Sequence, residues 1–285
     1  MSRPPAAGSA GARSAFAGRR PGPGRLPCGC PDRLAREQEL LERLRVIDAS
    51  APNGWQDVLR VIELMRELNS SSPTRRQQAV LRRPEDVPVP AELLVGAVLA
   101  ESDPHVAGAL RWALARAGGE GVAALAAAAR SEQVDIRRRA VLAIAEMPES
   151  PGAIVVLADA LGDPDAVVRG RAALALGRQG VAAAVPTLVG MVVEGRNDVD
   201  AAEVLGTLSR EPECGARIAT ALADELAVPT ADPETRIRLT QALVELEGMT
   251  AQEMLRHLVN DQDRVVALVA SALVGVLDER TEDGD

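Results

Sequence analysis

The chain has 285 residues, of which 47% are hydrophobic but only 1% aromatic, with one Phe, two Trp and no Tyr. An apolar fraction made of Ala, Leu and Val favours closely packed helices over the aromatic and β-branched strands of a sheet protein. The formal net charge of −9 argues against a general nucleic-acid binder, which needs a basic face to neutralise phosphates, and against attraction to anionic membranes.

The first 31 residues predict a disordered arm. Residues 1–31 are rich in Arg, Pro, Gly, Ala and Ser and lack apolar periodicity, so they bury too little surface to offset the entropy of ordering. Residues 1–36 carry a charge of about +6 and the remainder about −15. The pair Arg19-Arg20 is followed by Pro-Gly-Pro-Gly rather than by an apolar segment. No secretory or twin-arginine signal is therefore predicted, and we expect a cytoplasmic protein.

The three cysteines are too few and too scattered for a disulfide framework. Cys28 and Cys30 form a C-x-C pair, but a tetrahedral metal site needs two further ligands. The two histidines, His105 and His257, lie far along the chain, so neither a metal nor a cofactor is expected. Cys214 lies at a predicted helix start with no His nearby, and we expect a small buried filler there rather than a reactive thiol.

Residues 32–90 predict N-terminal helices that cap the rest of the chain. Apolar residues from Leu34 to Ile47 fall at helical spacing in a charged background. The sequence Pro52-Asn53-Gly54 ends this helix, and a second helix is predicted from Trp55 to Leu68.

Residues 91–279 repeat one helical pattern. In the run from Asp163 to Gly177, Val168 is followed by apolar residues four, seven and eight positions later, which is one face of a helix. We call Val168 the anchor; the other anchors are Val106, Ile136, Asn197, Thr235 and Val265. Each of these helices is preceded by another apolar helix, so the unit is a helix pair.

The turns inside the pairs contain Asp-Pro dipeptides. Asp is a good N-cap and Pro is tolerated at the first helical position, so a second helix is predicted to begin at each dipeptide. These are Asp103-Pro104, Asp163-Pro164 and Asp232-Pro233.

One helix pair cannot bury its apolar face alone, whereas stacked pairs share a continuous core. Ala at anchor +7, as in Ala175, is typical of this packing because small residues let helices of neighbouring pairs approach closely. We therefore predict an all-α, right-handed solenoid of six to seven short helix pairs. Residues 280–285 are predicted to form an acidic frayed tail.

The run from Asp163 to Gly177 resembles the short HEAT-like repeat of phycobilisome-lyase-type proteins, an armadillo-type α-solenoid with the pattern D-P-x-x-x-V-R-x-x-A-x-x-A-L-G. The resemblance covers about residues 91–277. It implies an architecture rather than a function, because the scaffold hosts protein adaptors, bilin lyases, a metal hydroxylase and DNA glycosylases. The hydroxylase relatives use repeated His-Glu pairs as ligands, whereas His105 and His257 are followed by Val and Leu.

Two alternatives follow from the same resemblance. A glycosylase-type, nucleic-acid-binding solenoid needs an aromatic side chain and an acid, for which Trp112 and Asp103 are the candidates, and the basic arm would supply phosphate contacts. We interpret Trp112 instead as a partly buried ridge residue beside the core pair Ala113-Leu114, since so few aromatics leave little stacking surface. The other alternative is an accessory subunit of a lyase or modifying enzyme.

Two columns of arginines flank the buried stripe of the second helices, which by the resemblance line the concave face. The +1 arginines, expected to pair with acids of their own turns, are Arg137, Arg169 and Arg236. The +3 arginines, which lack an obvious local acid, are Arg139, Arg171 and Arg238. We predict that the +3 arginines and Trp112 bind an acidic segment of a protein partner. The alternative is a solvated face in a chain whose basic residues are all Arg.

The sequence as a whole favours a non-enzymatic interaction scaffold. It contains no phosphate-binding Gly loop, no nucleophile elbow and no pattern of a His-containing triad. We expect a monomeric adaptor that binds a protein along the concave face, with neither a membrane nor a nucleic acid as its partner.

Overall fold

A computed structural model describes residues 54–83, 89–147, 150–228 and 232–282. Within these ranges the chain forms fourteen α-helices and no strand. The helices are α1 (Gly54–Leu68), α2 (Pro73–Leu81), α3 (Ala91–Ala100), α4 (Pro104–Arg116), α5 (Val122–Ala128), α6 (Val134–Ala145), α7 (Pro151–Ala160), α8 (Ala166–Arg178), α9 (Val185–Glu194), α10 (Asp198–Ser209), α11 (Pro212–Leu226), α12 (Pro233–Val244), α13 (Met249–Leu258) and α14 (Arg264–Glu282). The predicted arm, the predicted helix after Asp32 and the Cys28-Cys30 pair lie outside the described residues.

Consecutive helices contact each other as pairs, which we number from pair 1 (α1 and α2) to pair 7 (α13 and α14). Second helices also contact the second helix of the next pair, as α6 does with α8, α8 with α10, and α10 with α12. Each pair therefore packs on its neighbours in sequence, which is the organisation of a solenoid. The predicted all-α solenoid of six to seven short pairs is confirmed.

The apolar core runs from Val80 to Leu255 through successive pairs. In α8 the anchor Val168 and the +4 and +8 residues, Ala172 and Leu176, are fully buried. The alanines predicted at +7 are no more than 5% exposed in α4, α6, α8 and α12. The positions four, seven and eight residues after an anchor therefore form the seam between neighbouring pairs.

Two helical glycines lie where neighbouring helices approach most closely. A Cβ on Gly206 of α10 would lie 2.4 Å from the carbonyl oxygen of Glu245, at the end of α12. A Cβ on Gly177 of α8 would lie 2.3 Å from Cγ1 of Val204 in α10. The neighbouring helices can therefore approach this closely only because Gly177 and Gly206 have no side chain.

The predicted register is wrong in the last helix. Val266 and Ala270 of α14 are fully buried, whereas the predicted anchor Val265 is exposed. The cap residue Asp263 accepts the backbone N–H groups of Val265 and Val266 and sets the helix start one residue later than the spacing indicated. α14 also extends to Glu282, into the segment predicted as a tail.

The Asp-Pro prediction is right at two turns and wrong at the third. Asp103 and Asp232 precede α4 and α12, and each accepts a backbone N–H of the first turn. Asp163 does not cap α8, because Asp165 takes that place and accepts the N–H of Val168 at 3.1 Å. The carboxylate of Asp163 has other partners, described below.

Candidate functional site

Three of the turns inside the pairs share one construction. In pair 4, Asp163 accepts the backbone N–H of Asp165 at 2.8 Å, and Asp165 then caps α8. Glu101 accepts the N–H of Asp103 at 2.8 Å in pair 2, and Asp261 accepts that of Asp263 at 2.8 Å in pair 7. We call the earlier residue the first acid and the later one the cap acid. Each of these three turns thus holds two carboxylates by local hydrogen bonds.

At three places an arginine of one pair binds the first acid of the next pair, and we call these contacts the turn ladder. They join pairs 1 and 2, pairs 3 and 4, and pairs 6 and 7: Arg76–Glu101, Arg137–Asp163 and Arg236–Asp261. Arg137 donates from Nε and Nη2 to the Asp163 carboxylate at 2.8 and 3.0 Å. The expectation that the +1 arginines pair with acids of their own turns is therefore wrong for Arg137 and Arg236. Nη1 of Arg137 bonds the Ser131 carbonyl of its own turn at 3.0 Å, which leaves the other edge of the guanidinium for the next turn.

The ladder acids are held in their charged form. The side chains of Arg137 and Asp163 are only 14% and 8% exposed, and the hydrogen bonds from Arg137 hold the pKa of Asp163 below its usual range. Arg76 lowers the pKa of Glu101 in the same way. Arg138 forms a two-pronged pair with the cap acid Asp165 and lowers its pKa to about 2. At these junctions the turn is therefore joined to the preceding pair by charge-assisted hydrogen bonds.

The +3 arginines donate to main-chain carbonyls of the preceding pair. Arg139 bonds the carbonyl of Leu99 at 2.6 Å, at the end of α3. Arg238 bonds the carbonyls of Val192 and Val193 at 3.0 and 2.7 Å, at the end of α9. These contacts satisfy helix C-terminal carbonyls that have no intrahelical partner.

Arg171 reaches a different acceptor, the carbonyl of Arg138 in α6, at 2.7 Å. Its neighbours Arg111 and Arg138 are each paired with an acid, Glu146 at 2.8 Å and Asp165 at 2.6 Å. Burial lowers the pKa of Arg171, and the positive charges of Arg111 and Arg138 lower it further. Arg138 also pairs with Asp135 at 3.5 Å. Within the described ranges no acid pairs directly with Arg171, so Arg171 is the one member of this group of three arginines whose charge has no direct ion-pair partner.

Trp112 is 49% exposed on α4, beside the buried pair Ala113-Leu114. The guanidinium of Arg116 lies 5.1 Å from the centre of its ring, within the range of a cation–π contact. Asp103 caps this helix nine residues earlier, a rise of about 13.5 Å along the axis. The fold therefore does not bring together the acid and the aromatic residue of the glycosylase-type alternative.

Cys214 lies near the start of α11, partly buried and packed against the core. Across the described parts of the chain no three His, Cys, Asp or Glu side chains are grouped so that they could hold a metal ion. In the same parts no helix is long and apolar enough to cross a membrane.

Comparison with known proteins gives one family match and several solved structures. Residues 122–209 match the family model of HEAT repeats. Human deoxyhypusine hydroxylase in complex with glycerol is 20% identical, with a TM-score of 0.35 over 87% of this chain and 99% of that chain. The Escherichia coli protein YibA is 15% identical, with a TM-score of 0.41 over 88% and 99%. Kap121p is 12% identical, with a TM-score of 0.41 over 86% of this chain and 37% of its own length. No curated protein matches the sequence.

Proposed function

We propose that this chain, which contains HEAT repeats, is an interaction scaffold that binds an acidic segment of a protein partner. The observation that carries the proposal is the positive charge at Arg171, whose neighbours Arg111 and Arg138 are already paired with acids. A rigid stack of pairs offers such a surface with little loss of conformational entropy on binding.

A partner carboxylate would bind Arg171 through the donors that the Arg138 carbonyl does not use. Because Arg171 is partly buried, its attraction for a carboxylate is screened less than that of a fully solvated arginine. Arg139 and Arg238 extend the positive column to pairs 3 and 6, where their carbonyl contacts fix their direction. Trp112 adds an exposed ring, a residue type that often dominates the binding energy of protein interfaces.

The test is affinity purification with the full chain and its Arg171→Gln and Trp112→Ala variants, followed by titration of the purified partner. Gln removes the charge and keeps a polar side chain. Arg130→Gln is the matched control, since Arg130 is exposed at the end of α5 and pairs with Asp159 of α7. We expect both test variants to weaken partner binding and the control to bind as the wild type does.

Ionic strength sharpens this test, because binding at Arg171 should weaken with added salt in the wild type and less so in Arg171→Gln. Equal affinity of wild type and Arg171→Gln for the purified partner would contradict the proposal. Salt-sensitive retention of duplex DNA in place of a protein would instead favour the nucleic-acid-binding alternative.

A further inference from the structure

Between pairs 4 and 5 the arginine of a turn-ladder contact is present but its acid is absent. Arg169 of α8 stands four residues after the cap acid Asp165, as Arg137 stands four residues after Gln133. Its Nη1 bonds the carbonyl of Asp163, six residues earlier, at 2.8 Å, and Arg137 makes the same bond to Ser131. The two guanidinium groups are therefore held in the same way.

In Arg137, and likewise in Arg76, the Nε and Nη2 edge binds a carboxylate of the next turn. The first-acid position of the turn after Arg169 is occupied by Gly195, which has no side chain. Among the described residues no carboxylate pairs with Arg169. Its Nε and Nη2 donors, which we call its donor edge, therefore lack the carboxylate that Arg76 and Arg137 bind.

The contacts around Gly195 explain why the chain does not supply that acid. Gly195 ends α9 in the left-handed region, at φ +66°, which disfavours any other side chain. A Cβ there would also lie 3.1 Å from Cζ of Arg238, which is held over this turn by the carbonyls of Val192 and Val193. An aspartate at this position would therefore need a backbone conformation that favours glycine and a small displacement of Arg238.

Arg169 lines a cleft of about 270 Å³ between α8 and α9, which we call the Arg169 cleft. Its lining includes Arg196, Glu194, Thr187 and Gly190. Since a water takes about 30 Å³, the cleft has room for a carboxylate side chain. Glu194 receives a hydrogen bond from Arg196, so the two arginines and one glutamate leave the cleft with a positive charge.

We infer that the Arg169 cleft binds a carboxylate side chain of a partner polypeptide, which completes the turn ladder from outside the chain. The ligand accepts hydrogen bonds from Nε and Nη2 of Arg169, as Asp163 does from Arg137. The cleft lies on the turns, whereas Arg171 lies on the opposite side of the same helix, since two residues of an α-helix are separated by about 200°. The inference therefore goes beyond the proposed function and does not depend on Arg171.

The experiment is a titration of the full ¹⁵N-labelled chain with an N-acetylated, C-amidated hexaglutamate peptide, followed by NMR. The reporter is the Arg169 Nε–Hε signal, assigned by its absence from the Arg169→Met variant, and hexaglutamine is the uncharged control. We expect a saturable shift of this signal with hexaglutamate alone. The backbone N–H signal of Gly190 reports on the cleft in every variant, and Arg169→Met should weaken the response there by roughly tenfold, equivalent to about 1.4 kcal/mol.

Two variants separate this site from its alternatives. Glu194→Gln removes the cleft's own carboxylate and should tighten hexaglutamate binding, whereas Arg171→Gln should leave the Arg169 response unchanged. An unmoved Arg169 signal, the same shift with hexaglutamine, or loss of the response in Arg171→Gln would each overturn the inference. A shift by inorganic phosphate as strong as that by hexaglutamate would overturn the assignment to a carboxylate. None of these outcomes affects the test of the proposed function, which measures how Arg171→Gln changes the affinity for the purified partner.

Discussion

The turn of pair 4 and the turn of pair 5 occupy equivalent places in the stack but differ in their side-chain contacts. In pair 4, Asp163 binds Arg137 of the preceding pair and Asp165 both caps α8 and binds Arg138. In pair 5, Gly195 ends α9 in the left-handed region, and Asn197 precedes α10 at φ 50° without a side-chain cap.

The helices of both pairs nevertheless pack equally well. Ala172 and Leu176 of α8 are fully buried, and so are Ala201 and Leu205 of α10. The apolar seam is therefore sufficient to stack a pair, because burial of its side chains supplies most of the stabilisation. The turn has a different effect. It determines whether a pair supplies a carboxylate to the arginine of the preceding pair or leaves that arginine available to a partner.

The strongest test of this comparison is truncation of the same seam position in both pairs. Leu176→Ala and Leu205→Ala each remove a fully buried side chain and should each lower the free energy of unfolding by about 2–5 kcal/mol. Equilibrium urea unfolding followed by circular dichroism measures both. Leu268→Ala is the control, since Leu268 is 70% exposed and its loss should change stability by less than about 0.5 kcal/mol. A small effect of Leu205→Ala alone would show that the two seams are not equivalent.

The close approach of pair 5 to pair 6 gives the next largest effect. Gly206→Ala places a Cβ 2.4 Å from the main-chain oxygen of Glu245, and the shift it forces should cost about 1–3 kcal/mol. Gly275→Ala in α14 meets nothing within 4 Å and should be neutral or stabilising by up to about 1 kcal/mol, the gain in helix propensity. Urea midpoints that fall equally for both variants would contradict the close approach of α10 and α12.

A smaller effect separates the two turns directly. Arg137→Met removes the charge-assisted hydrogen bonds to the nearly buried Asp163 carboxylate, which keeps its bond from the backbone N–H of Asp165. The free energy of unfolding should therefore fall by about 1.5 kcal/mol. Arg169→Met removes only two bonds to carbonyls of its own turn and should lower the urea midpoint less than half as much. Equal losses in the two variants would mean that Arg169 has a carboxylate partner in the folded chain after all.

The smallest effect is the pH dependence of the cap acid. Asp165→Asn keeps a cap for α8 but removes the charged pair with Arg138. Because the pKa of Asp165 is lowered to about 2 in the folded chain and is about 3.9 when unfolded, the pair stabilises the wild type fully above pH ~4. The stability difference between wild type and variant should therefore shrink as the pH falls from ~4 to ~2. Urea midpoints across this range measure it. In an Arg138→Met background the pH-dependent difference should be smaller, because only the backbone N–H groups of the first turn of α8 then lower the pKa of Asp165.

Periodicity predicted the buried positions of most second helices because burial of one face is a local property of a helix. Ala113, Ala143 and Ala242 were placed correctly from spacing alone. The failure at Val265 has a local cause as well, since Val265 and Val266 both suit the apolar pattern and only the cap at Asp263 distinguishes them. Spacing identifies a stripe more reliably than it identifies the first residue of a helix.

The sequence by itself determined that this chain is a stack of short helix pairs, because the spacing of Ala, Leu and Val within each helix already specifies which face must be buried. Only the tertiary structure decided what the arginines do. Arg139 bonds a carbonyl 40 residues away and Arg137 a carboxylate 26 residues away. A main-chain carbonyl acceptor cannot be predicted from the sequence, because every residue has one. The unmatched donor edge of Arg169 likewise exists only in the stack, since an arginine is left without its acid only when the next pair packs beside it.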